Sequence, residues 1–284
     1  MQNLIENKTF DEERALYNLC GYTLKNCKFE GETDGESALK EARDVILENC
    51  SFSLRYPIWH TVGFKMTDCK MNENVRAALW YSKNGVLENC LLHGIKAVRE
   101  CKNIKINSSD ILSEEFGWRC KDININASKA ESVYFLFESE NINIENLDMK
   151  GKYSFQYCRN VTVKNSFLDT KDAFWHSENV TVENCTVKGE YLGWYSNGLT
   201  LKNCKIIGTQ PLCYCENLKL VNCTTEDCDL AFEYSDVFAD ISGSVLSVKN
   251  PKSGTVFADS IGEIITSDSI IDSDCNIFIK TKKE

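Results

Sequence analysis

The phrase NVTVENCTV, which begins at Asn179, returns nineteen residues later as GLTLKNCKI, laying Val182 over Leu201, Asn184 over Asn203 and Cys185 over Cys204. A unit that short cannot bury its own apolar residues. It must be one coil of a stacked array whose core is completed by its neighbours. The phrase recurs along most of the chain, as YTLKNCKF at Tyr22, DVILENCSF at Asp44, GFKMTDCKM at Gly63, GVLENCLL at Gly85, NIKINSSDI at Asn103, DININASKA at Asp122, NINIENLDM at Asn141, NVTVKNSFL at Asn160 and NLKLVNCTT at Asn217. Its bend residue reads as Asn26, Asn49, Asp68, Asn89, Asn107, Asn126, Asn146, Asn165, Asn184, Asn203 and Asn222, at spacings between 18 and 23.

Ahead of each bend, apolar and polar residues alternate, as Val180 and Val182 do against Thr181 and Glu183, which is the period of a half-buried strand. Apolar residues resume at Val187 and Ile206, so the chain turns without leaving the core. Asparagine tolerates the left-handed conformation, and its amide both donates and accepts. Amides stacked about 4.8 Å apart can therefore form a ladder down the inside of the bend. No apolar period of 3.6 runs long enough for a helical solenoid, and no leucine-dense consensus is present. The expected fold is all-β: a single-stranded right-handed parallel β-helix of roughly a dozen coils, three short strands each, with an Asn ladder.

One β-helix domain over 1–284 follows. Residues 1–20 form an N-terminal cap in which Asp11 starts a turn of helix, 21–235 are the regular coils and 236–284 are degenerate C-terminal coils. In that last stretch VFADISGSVL and EIITSDSII read as coils, and VKNPKSGTVF as a turn-rich excursion.

Hydrophobic content of 43% with 26% charged residues is globular. A net charge of −10 argues against nucleic acid held through its phosphates, and the basic Lys280, Lys282 and Lys283 read as a solvated tail. No run approaches a membrane span, and the polar, acidic start MQNLIENKTFDEER offers no secretory signal. Fifteen cysteines, several at one repeat position, then imply free thiols in a reducing compartment, so the protein is expected to be cytoplasmic.

The segments IENKTFDEERALYNL, DGESALKEAR, LRYPIWH, RAALWYS, LHGIKAVREC, GKYSFQY, DTKDAFWH, GTQPLCYC and KNPKSG together resemble the bacterial family called domain of unknown function 3737. They span nearly the whole chain. The resemblance implies a parallel β-helix of the pectin-lyase-like kind and transfers no catalytic residue.

Nine and eight residues before the bend, the coils carry Trp59-His60, Trp80-Tyr81, Val98-Arg99, Phe137-Glu138, Gln156-Tyr157, Trp175-His176, Trp194-Tyr195 and Cys213-Tyr214, and with a slip of one, Trp118-Arg119. Ten before it stand Ile58, Leu79, Ala97, Leu136, Phe155, Phe174, Gly193 and Leu212, all apolar, which points the tenth column inward and the ninth outward. The resulting face is a track for a carbohydrate or similar polyhydroxylated ligand. Its residues are Trp59, Trp80, Tyr81, Arg99, Trp118, Gln156, Tyr157, Asp172, Trp175, Trp194 and Tyr195, with sugar rings on the aromatic faces and polar groups on the hydroxyls. In pectin-lyase-like proteins the groove on this strand is the usual polysaccharide site. A second reading makes the track a protein interface of a non-catalytic scaffold or homo-oligomer. A third makes it the active site of a polysaccharide lyase or glycoside hydrolase built on Arg119, Glu138 and His176, although for Arg99, Arg119 and Glu138 an ion-pair ladder between coils is the competing account. No metal site or cofactor is expected: His93 closes a turn, Cys213 and Cys215 lack companions, and phosphate-loop, GxSxG and pectinase signatures are missing.

Overall fold

The computed structural model describes residues 3–31 and 35–280. Among them every regular element is a strand, and consecutive coils pair in parallel to make a β-helix of about 14 turns. Two compact units divide the chain, residues 1–143 and 144–284. Lys282 and Lys283 lie outside the described residues.

In the second unit a typical coil contributes the long strand Glu178–Glu183, paired with Arg159–Lys164 and Asn197–Lys202, and the short strand Thr186–Lys188, paired with Phe167–Lys171 and Lys205–Ile207. The strand period then acts as expected. Val161, Val180 and Leu199 form one buried file and Val163, Val182, Leu201 and Leu220 the next, while Thr181 and Glu183 stay partly in water. The remaining side is made of turns rather than a third strand. Its core filling is a stack of phenylalanines, Phe155 over Phe174 at 5.0 Å. Fully burying one such ring stabilises the coil by about 1.5–3 kcal/mol.

The first unit repeats this plan, with Phe116 over Phe135 at 5.3 Å on the turn side, and adds a second stack, Phe10, Phe29 and Phe52 at 5.2 and 4.7 Å, along its short strands. Here the third side does form strands in three coils, Ile58–Trp59, Leu79–Trp80 and Val98–Arg99. Residues 3–20 are laid out as a coil: Asn3–Glu6 pairs with Tyr22–Lys25 and Thr9–Phe10 with Lys28–Phe29. The helical turn expected from Asp11 is absent, because the amides of Arg14, Leu16 and Asn18 donate to carbonyls of the following coil instead of to their own segment. At the other end VKNPKSGTVF is no excursion. Ser253–Ala258 within it pairs with both Asp236–Ser242 and Asn276–Ile279.

The bend is left-handed at Asn26, Asn49, Asp68, Asn89, Asn146, Asn165, Asn184, Asn203 and Asn222, with φ near +50° throughout. In two coils the sequence reading is off by one. Asn107 and Asn126 end their strands, and Ser108 (φ 49°) and Ala127 (φ 49°) make the bend. With that correction every step from Asn89 to Asn222 is nineteen residues. Side-chain amides join Asn26 to Asn7 (3.2 Å) and Asn49 to Asn26 (2.8 Å) in the first unit. In the second they join Asn184 to Asn165 (3.3 Å), Asn203 to Asn184 (3.1 Å) and Asn222 to Asn203 (2.9 Å). These side chains are exposed, so the ladder runs along the outside of the bend and not the inside. The cysteines that follow it are buried, and their thiols donate to backbone carbonyls, as Cys204 does to Val182.

A second left-handed file, which the sequence reading did not single out although most of its residues open the repeated phrase, interrupts long strands at Asp44, Asn84, Asn103, Asp122 and Asn141 in the first unit and at Asn160 and Asn179 in the second, where Asn217 also stands just ahead of its strand. Pairing skips these residues on both strands at once, passing from Lys83↔Lys102 to Gly85↔Ile104, so the register is kept and each is a left-handed kink matched coil to coil rather than a bulge. Their amides also form ladders, as in Asn103 to Asn84 and Asn141 to Asp122, both 2.8 Å.

Candidate binding groove

Counting from the corrected bends places the corner residues unambiguously. Ten back stand Ile58, Leu79, Val98, Leu136, Phe155, Phe174 and Leu212, all buried to 1% exposure or less, which bears out the inward tenth column with Val98 in place of Ala97. Nine back the tryptophans are half-buried, and Arg99 pairs between Trp80 and Trp118. The slip assumed for Trp118 and Arg119 therefore vanishes, and Arg99 moves into the tryptophan file. Eight back the side chains of His60, Tyr81, Arg119, Glu138, Tyr157, His176 and Tyr195 are exposed. Each has φ between 51° and 58°, a left-handed residue that swings its side chain outward at the corner.

The tryptophan file binds coil to coil. Trp175 and Trp194 stack at 5.5 Å and 5°, and Trp59 and Trp80 at 5.5 Å and 13°. The indole N–H of Trp118, Trp175 and Trp194 donates to the carbonyl sixteen residues on, at Tyr134 (3.0 Å), Tyr191 (2.6 Å) and Gln210 (2.8 Å). Gln156 holds the same place with an amide, which donates to the carbonyl of Asp172 at 3.0 Å. Gln156 is thereby taken up in the wall, and Asp172 is itself 5% exposed, with burial pushing its carboxyl upward. The indole nitrogens of Trp59 and Trp80 are buried without a partner.

In the first unit the exposed file starts with two tilted rings, His60 and Tyr81 at 5.1 Å, and is ionic from Glu100 onward. Arg119 Nε donates to Glu138 Oε2 at 2.7 Å, which holds the guanidinium pKa above its usual value. Arg99 Nε meets Glu100 at 3.2 Å while its guanidinium lies 5.6 Å over Trp118, and a hydrogen bond to Glu100 raises the Tyr81 phenol. This is the ladder of mutually satisfied charges that competed with the catalytic reading. His176 belongs to the second unit. His93 Nε2 lies 3.5 Å from Asp110, and among the described residues no cluster could hold a metal.

In the second unit the exposed file is aromatic. Tyr157 and His176 stack at 4.9 Å and 10°, His176 and Tyr195 at 4.9 Å and 6°, Tyr195 and Tyr214 at 4.8 Å and 12°. Faces that close cover one another, so no sugar ring can lie between them. What faces water is a comb of ring edges carrying phenol hydroxyls and imidazole nitrogens, one per coil. Beside it runs a parallel row two residues on, Arg159, Glu178, Asn197 and Glu216, with Arg159 Nε 3.3 Å from Glu178 Oε2 and Asn197 Nδ2 donating to Glu216 Oε2 at 3.4 Å. Together the comb and the row line a groove of about 470 Å³. Sequence reasoning missed the row and left Tyr214 out of the ligand set. The signal was there, because each Tyr or His of the comb is followed two residues on by a polar residue, with a small one, Cys158, Ser177, Ser196 or Cys215, between them.

Parallel coils around an apolar core, with a groove on one flank, define a parallel β-helix protein. The chain belongs to the family described as protein of unknown function (DUF3737), whose model matches residues 3–279. No curated protein sequence matches it. Among solved structures it is similar to PfbA, a surface adhesin of Streptococcus pneumoniae, with a TM-score of 0.53 at 7% identity over 85% of this chain and 86% of that one. Less similar are the A-module of the mannuronan C-5 epimerase AlgE6 of Azotobacter vinelandii (TM-score 0.32, 12% identity, 92% and 91% covered) and the periplasmic alginate epimerase AlgG (0.30, 11%, 92% and 78%). At 7% identity the likeness to PfbA is one of fold alone.

Proposed function

We propose that the protein binds a carbohydrate or similar polyhydroxylated chain along the groove of the second unit, lying parallel to the coil axis. The observation that carries this reading is the period. Tyr157, His176, Tyr195 and Tyr214 offer a hydrogen-bonding edge every 4.8–4.9 Å, close to the rise per residue of an extended β-1,4-linked pyranose chain. The neighbouring row supplies a donor and acceptor set at the same interval for the outer hydroxyls. Binding without turnover fits the carboxylates, because Glu178 and Glu216 stand in one row and cannot flank a glycosidic bond from opposite faces as hydrolysis requires.

The test is calorimetric titration of soluble oligomers of glucose, galactose, N-acetylglucosamine and uronates against the protein. Binding of one class is expected, weakened by roughly tenfold or more in Tyr195→Ala, the size of one or two lost polar contacts. Silence across all four classes sinks the reading.

A further inference from the structure

Resting on that carbohydrate reading, we infer that the groove selects a cationic glycan, an extended β-1,4-linked amino sugar, over uronates and over neutral chains. The charges of the lining decide this. Four of the nine lining residues are ionic or amide groups of the outer row: Arg159, Glu178, Asn197 and Glu216. The single cation, Arg159, is already spent on Glu178 at 3.3 Å. Among the described residues the side chain of Glu216 has only the amide of Asn197, at 3.4 Å, a neutral donor that brings no positive charge to the carboxylate. The row therefore carries a net negative charge, in a chain whose own net charge is −10. A uronate carboxylate would meet Glu216 as a like charge with no free guanidinium to bind it, whereas an ammonium would make a charge-assisted hydrogen bond.

The spacing adds register. Glu178 and Glu216 are two coils apart, about 9.6 Å at twice the sheet spacing. An extended β-1,4 chain turns over at every residue, so alternate sugars present the same edge to the same wall. An amine on every second residue then faces a carboxylate, Glu216 with no cation beside it and Glu178 shared with Arg159, while the intervening residue meets Asn197. The ring-edge comb takes the opposite edge, where its phenol oxygens meet both the hydroxyls and the amines of the intervening residues.

The experiment titrates four probes by calorimetry: a glucosamine tetramer, its fully N-acetylated counterpart, a galacturonate tetramer and an oligolysine of equal charge. The glucosamine tetramer is expected to bind roughly tenfold or more tighter than its acetylated form, with an affinity that falls as salt rises, and Glu216→Gln should erase the difference. Glu263→Gln, an exposed carboxylate that does not line the groove, should leave it intact. Equal binding of the acetylated tetramer overturns the charge inference while leaving the carbohydrate reading standing. Preference for galacturonate overturns it outright. Oligolysine binding as tightly as the glucosamine tetramer reduces the effect to net charge and also overturns it. If no sugar binds, both readings fall together.

Discussion

The corner that carries Trp59 and Trp80 and the corner that carries Trp175 and Trp194 hold the same residue type at the same place, stacked at the same 5.5 Å, yet they are built differently. Around Ile58 and Leu79 the chain is extended, and the amide of each donates forward, to Ala78 and Ala97 of the next coil. Around Phe174, Gly193 and Leu212 it is left-handed, and each amide donates backward, to Ser154, Ala173 and Leu192 of the coil before. Where the receiving coil is left-handed, the carbonyl two residues earlier turns toward the indole and accepts its proton. Where it is extended, the indole nitrogen is left buried and alone. Trp118 sits in the first unit yet obeys the same rule, because its acceptor Tyr134 belongs to a coil whose Leu136 is left-handed. Packing is thus indifferent to the peptide orientation, and hydrogen bonding is not.

Truncation should hit both corners hardest. Trp194→Ala is expected to cost about 3 kcal/mol, the low end for a large ring because the side chain is half-buried, read as a shift of the urea midpoint. Replacing the ring without its N–H separates the corners. Trp194→Phe gives up a hydrogen bond and leaves the Gln210 carbonyl bare, whereas Trp80→Phe removes an orphaned donor. The former should therefore be the more costly by about 1–3 kcal/mol, and equal costs would break the comparison. Smaller effects belong to the bend. Asn203→Ala should lose about 1 kcal/mol through its ladder bond and the left-handed backbone, while Ala127→Asn should gain by a similar mechanism at a bend that now carries a Cβ with nothing to offset it.

The smallest effect concerns Asp172, a left-handed corner residue of the second unit whose carboxyl burial raises above the ordinary 3.8. A raised value means the folded state holds the proton more tightly than the unfolded chain. Its stabilising share is present in full below 3.8 and is lost as pH rises through the folded value. Asp172→Asn should therefore raise the urea midpoint more at pH 7 than at pH 3.5, and a gain independent of pH would assign the effect to backbone conformation alone.

Sequence carried the coil a long way. The alternation of Val180 and Val182 with Thr181 and Glu183 marks a strand because burial and exposure alternate with it, and the columns ten and eight back followed from counting. The count failed at Asn107 and Asn126 because an asparagine one residue before the bend looks identical to one at it, while the true bends there are a serine and an alanine. The direction of the Trp corner was illegible for a different reason. It depends on one peptide plane, and Leu79 and Leu212 show that the same side chain accepts either setting. The groove was half legible: Tyr157, His176 and Tyr195 stood in the expected file, but stacking that hides their faces is a property of coil spacing, and the flanking Glu178 and Glu216 were not singled out at all.

The buried thiols give the molecule a set of internal clocks. Cys27, Cys50, Cys69 and Cys90 sit one to a coil in the first unit, and Cys185, Cys204 and Cys223 do the same in the second, each unpaired and sealed behind its own turn. Burial pushes Cys223 up to about 11, so it stays protonated and inert while the coil is closed. A thiol reagent can mark such a residue only during the moments its coil is open. The order in which these cysteines acquire the label would record, turn by turn, where the stack first comes undone.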